Sequence, residues 1–102
     1  MLYVAIGRNV GVKPMKRRVW REFQKRVIET VASDYLVDSM PDTVAYGKSN
    51  YGGAPEETCV MVWFDGKGLG DMSRILLGLL ATMYGQDSIA WSVSETEFVE
   101  GF

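Results

Sequence analysis

The chain has 102 residues, 47% apolar and 24% charged, which gives room for one domain and one core and no apolar run near the roughly 18 residues of a membrane span. It contains no histidine and a single cysteine, Cys59, which excludes Ser-His-Asp and Cys-His catalysis in their usual forms, a Cys/His zinc site and an internal disulfide. The net charge of −2 conceals a lopsided distribution: residues 1–26 carry eight basic side chains against Glu22 alone, and residues 27–102 carry three basic and twelve acidic ones.

In chain order, Leu2-Tyr3-Val4-Ala5-Ile6 alternates with period two and predicts a first strand ending at Gly7. Residues 7–14, with two glycines and a proline, predict a loop. A helix is predicted over residues 15–33. Val19, Trp20, Phe23, Val27, Thr30 and Val31 share one of its faces, and Arg17, Arg18, Arg21, Lys25 and Glu29 lie opposite. Turn residues at 38–42 precede a second strand over 43–48, and the glycine-bearing stretch 49–55 predicts a hairpin loop. Residues 58–64 are apolar throughout and predict a central strand. A glycine-rich connection, 65–70, leads to a second helix over 71–84, with Asp71 or Gly70 as N-cap and Gly85 as its stop. Residues 89–93 predict the last strand, with 95–102 as a ragged extension. The order β-α-β-β-α-β predicts an α+β, ferredoxin-like sandwich, a four-stranded antiparallel sheet with two helices on one face. The first and third strands are expected side by side and parallel at its centre.

Parallel inner strands would bring the loops 7–14 and 65–70 to one end of the sheet, each entering a helix N-terminus that favours anions. Arg8, Asn9, Gly11, Lys13, Lys67 and Gly68 are the anion-binding candidates there. The stretch Gly66-Lys67-Gly68-Leu69-Gly70 lacks P-loop spacing, which weighs against nucleotide hydrolysis.

Partner surfaces are expected elsewhere. Lys16, Arg17 and Arg18 fall in the first turn of the first helix, where each cation opposes the macrodipole at roughly 0.3–1 kcal/mol. An acidic partner or a phosphate backbone would explain them, with Arg21 and Lys25 continuing the face. The acidic balance of residues 27–102 weighs against nucleic acid. One face assignment exposes Tyr3, Cys59, Met61 and Trp63 on the sheet, and Tyr3 and Trp63 would then suit base stacking or a protein contact. In the second helix Met72, Ile75, Leu76, Leu79 and Met83 are expected in the core. Leu77, Ala81 and Tyr84 would form a second apolar patch, open to a partner or covered by Phe98 or Phe102. Tyr51 in the hairpin loop is a candidate anchor. No pattern implies a catalytic residue, a cofactor or a metal.

Gly7-Arg8-Asn9-Val10-Gly11-Val12 resembles the phosphate cradle of acylphosphatases, Gly-Arg-x-x-Gly-Val. That resemblance implies phosphate binding by Arg8. The family's water-positioning asparagine has no counterpart in residues 43–48, and Lys13-Pro14 stands in place of the motif's aromatic-arginine ending. The chain also resembles small accessory proteins encoded by phages, in its first strand, Gly7-Arg8-Asn9-Val10-Gly11, Pro14-Met15 and a helix bearing Trp20 and Phe23. That likeness implies a protein acting inside an infected bacterium, often on a host factor. The expected function is thus a non-enzymatic, cytoplasmic binding protein engaging a host or viral protein, with a homo-oligomer as a further expectation and no membrane contact. The alternatives are a phosphate-directed enzyme or anion binder using Arg8 and the glycine loops, and a single-stranded nucleic-acid binder using Tyr3 and Trp63.

Overall fold

Alternation decides the first element. Along β1 (Leu2–Gly7), Leu2, Val4 and Ile6 are buried while Tyr3 and Ala5 are only partly covered, as expected of a strand with one face on a core. The computed structural model describes residues 1–50 and 53–101. Residues 7–14 do not form an open loop. They fold back as a small hairpin of β2 (Asn9–Val10) and β3 (Lys13–Pro14), closed by Gly11-Val12. Gly11 sits at φ +64, where a side chain would be strained.

Helix α1 (Arg17–Ala32) buries Trp20, Phe23, Gln24, Val27 and Val31 along one stripe. The hairpin β4 (Thr43–Ser49) and β5 (Glu56–Trp63) follows, then α2 (Asp71–Met83) and β6 (Ala90–Val93). The main sheet has the order β4-β5-β1-β6, with every neighbouring pair antiparallel. Both helices contribute to one core with the buried face of the sheet, which is the ferredoxin-like arrangement.

β1 and β5 are therefore adjacent and central, as expected, but antiparallel rather than parallel. The reason is topological: α1 returns the chain so that β4 runs with β1, and the β4–β5 hairpin then reverses it.

Two face assignments are also corrected. Leu2, Val4 and Ile6 share the helix-side face with their register partners Trp63, Met61 and Cys59, all of them buried. Trp63 is 1% exposed, and its indole N–H donates to the Ser39 carbonyl at 2.9 Å. Tyr3, Ala5, Val60 and Val62 form the middle of the open face instead. In α2 the buried residues are Ser73, Leu77, Leu80 and Ala81, and the ring of Tyr84 just beyond stacks on Phe23 with centroids 4.7 Å apart. Met72, Ile75, Leu76, Leu79 and Met83, expected in the core, face outward. The helix has two apolar stripes, and the one carrying small Ser73 and Ala81 is the one laid against the rest of the molecule. Phe98, expected as a cover for Leu77, Ala81 and Tyr84, is instead 87% exposed, and Phe102 lies outside the described residues.

Gly66, after β5, shows how tightly this end of the central strands is closed. A Cβ there would lie 2.6 Å from Leu2 Cβ, an atom at the root of a buried side chain that has nowhere to retreat. Gly66→Ala is expected to cost roughly 1–3 kcal/mol, read as a lowered urea midpoint. An unchanged midpoint would contradict this packing.

Candidate functional site

Antiparallel pairing separates the anticipated anion site. Gly7 pairs with Thr58 and Leu2 with Trp63, so Arg8, Asn9, Gly11 and Lys13 lie at one end of the sheet, and Lys67 and Gly68, which follow Trp63, lie at the other.

At each end the protein's own carboxylates occupy groups that would have received a ligand. The Arg8 guanidinium donates through Nη1 to Glu57 Oε2 at 2.7 Å and through Nε to the Met15 carbonyl at 2.8 Å, leaving its side chain 16% exposed. The hydrogen bond from Arg8 holds the Glu57 carboxyl below its ordinary pKa. The Asn9 amide donates to Glu56 Oε2 at 2.7 Å, and the Asn9 side chain donates to the Pro55 carbonyl. Glu56 also lies against Gly7, where a Cβ would come within 2.5 Å of the carboxyl carbon. Arg8 and Asn9 thus fasten the small hairpin to the start of β5.

At the far end Lys67 donates its backbone N–H to the Leu36 carbonyl, and Gly68 adopts φ +149. Asp34 accepts from the Gly70 amide at 2.8 Å and the Leu36 amide at 2.8 Å. Burial pushes the Asp34 carboxyl up, but hydrogen bonds from the Ser73 hydroxyl and from those two amides outweigh it and hold the pKa below its ordinary value. The N-terminus of α2 is capped from a distance by Asp34, while Gly70, its N-cap residue, has no side chain to offer.

The basic face of α1 is different. Its N-cap, Lys16, makes no side-chain capping bond, and its first turn holds no acidic residue. Among the described residues, Lys16, Arg17, Arg18 and Arg21 take part in no ion pair, and all four are exposed. Lys25 reaches Glu29 only at 3.9 Å. A groove of about 280 Å³ runs between α1 and the edge strand β4, lined by Arg8, Arg17, Trp20, Arg21, Gln24, Tyr46 and Glu57. The Tyr46 hydroxyl donates to Gln24 Oε1 at 2.7 Å across it. Three arginines meet one carboxylate there, and that carboxylate is already paired with Arg8. The structure thus brings Arg8, Arg17 and Arg21 together, with Arg18 and Lys25 continuing the exposed face.

The remaining candidates divide. Tyr3 lies on the open sheet face and is partly covered. Trp63 and Leu77 are buried, and Tyr84 is packed against Phe23. These three belong to the core, because the helix-side face of β5 and the inner stripe of α2 are the opposite ones from those expected. Tyr51 lies outside the described residues. Tyr46 and Gln24 were not anticipated from sequence: Tyr46 sits on an exposed edge strand, and only the partner strand's register shows that it points to the helix side. No group of metal-ligating side chains occurs among the described residues, and no helix there is long and apolar enough to cross a membrane.

Compared with known protein families, curated proteins and solved structures, the chain matches none of them.

Proposed function

We propose that this chain is a non-enzymatic binding protein whose α1–β4 face engages an acidic surface on another protein, a host or viral one if the phage-like character of its first quarter is followed. The observation that supports this is the row Lys16, Arg17, Arg18 and Arg21, exposed and, among the described residues, without ion pairs at a helix start that has no side-chain cap. Such a row destabilises α1 in the free protein and is relieved when anionic groups approach. The Arg8–Glu57 pair forms the floor of the groove and leaves the outer guanidinium groups to a partner. The engagement of the Arg8 and Asn9 donors by Glu57 and Glu56 favours this surface over a phosphate cradle.

The test is capture from a bacterial lysate with the wild type and with Arg17, Arg18 and Arg21 all changed to Glu, followed by calorimetry on the captured protein across salt concentrations. A partner retained after nuclease treatment is expected, bound at least about tenfold more weakly by the triple variant and with an affinity that falls as salt rises. Equal capture by both forms would refute the assignment. Capture abolished by nuclease would replace it with nucleic-acid binding.

A further inference from the structure

The outer face of α2 carries Met72, Ile75, Leu76, Leu79 and Met83, between 43% and 67% exposed. Their spacing makes one continuous stripe at helical period, so this helix is apolar on two sides, a pattern found where both sides are covered. The only charges on α2, Asp71 and Arg74, are paired with each other, and neither interrupts the stripe. The stripe offers nothing to an acidic or a basic partner.

From its order of residues we infer that the stripe is the interface of a symmetric dimer of this chain, formed by two α2 helices packed antiparallel. An isologous interface must be complementary to itself. Reversing the segment about the point midway between Leu77 and Gly78 places Met72 over Met83 of the second copy and Leu76 over Leu79 of the second copy, so that four of the five side chains meet their own kind. Ile75 reverses onto Leu80, which is buried in the core, so Ile75 lies at the margin of the stripe without a counterpart of its own. Antiparallel helices also set opposite dipole ends beside each other. A stripe of five such side chains exposes on the order of 500 Å² of apolar surface, at the upper end for a monomer that keeps it bare. Pairing two stripes, with the exposed Tyr35 beside Met72 and Leu76 drawn in, buries on the order of 1,200 Å² in total, which reaches the range of stable interfaces. Arg17 and Arg21 stay free in such a dimer because they lie on the flank of α1 toward β4. The dimer is thus independent of the partner proposed above.

Sedimentation analysis at roughly 100 μM, well above the micromolar dissociation constants open to interfaces of this size, is expected to give twice the chain mass. The Leu76→Glu/Leu79→Glu variant should give the single chain mass with an unchanged circular dichroism spectrum, because both positions are exposed. Register is tested separately: an oxidised mixture of Leu76→Cys and Leu79→Cys chains should yield a covalent dimer, and Arg74→Cys, on the other flank, should not. Cys59 is buried, with its thiol pushed up to about 11, and will not interfere. A wild type of single mass, a dimer that survives the double Glu variant, or cross-linking through Arg74→Cys would each overturn the inference.

Discussion

Replacing Trp63 with alanine is expected to remove roughly 3–5 kcal/mol of folding stability, a large part of the 5–15 kcal/mol typical of a domain. Trp63 is among the largest fully buried side chains of the molecule and lies on the central strand β5 beside Leu2. Its removal opens a cavity between sheet and helices and orphans the Ser39 carbonyl that receives the indole N–H. The urea midpoint should fall by on the order of 2 M at the slopes usual for small proteins. Tyr3→Ala, on the open face of the neighbouring strand, should cost about 1 kcal/mol or less. Equal losses for the two variants would mean that the faces of the sheet have been assigned the wrong way round.

Asp34→Ala should lower stability by roughly 2–3 kcal/mol, because the buried Gly70 amide, the part-buried Leu36 amide and the start of α2 lose their acceptor together. The same contact makes stability depend on acid. The folded carboxyl titrates below its ordinary value, so the unfolded chain takes up the proton first as pH falls. The stabilisation is complete above the unfolded pKa and is lost as pH drops through the folded one. Thermal unfolding of the wild type should therefore weaken below about pH 4. The Asp34→Ala variant, already less stable at neutral pH, should show a shallower decline over that interval. Parallel declines would place the acid sensitivity elsewhere.

Much of the fold is legible in the residues. Period-two alternation locates β1, the apolar run of 58–64 locates β5, and the stripe through Trp20, Phe23, Val27 and Val31 locates α1, each to within one or two residues. Which side of β5 turns inward is not legible, because Cys59, Met61 and Trp63 alternate with Val60 and Val62 and both sets are apolar. The same ambiguity governs α2, whose two stripes differ less in hydrophobicity than in size. Small Ser73 and Ala81 permit the closer approach and draw their stripe inward. The cation row on α1 is legible from composition alone. The carboxylates that fill the glycine-loop donors are not: Asp34, Glu56 and Glu57 meet Gly70, Asn9 and Arg8 across 36, 47 and 49 residues of sequence. No local pattern encodes such distant meetings.

The strand order carries a consequence for how the molecule is felt from outside. Arg17 and Arg21 of α1 stand toward β4 at one margin of the sheet, while the segment bearing Glu95, Glu97 and Glu100 follows β6 at the other. Three inter-strand steps separate those margins, about 14 Å at the usual spacing, against a screening length of about 8 Å in physiological salt. Each margin is then largely screened from the other. A negatively charged visitor at the β4 side encounters a cation, whatever the sign of the protein's total, and is turned toward that side before contact.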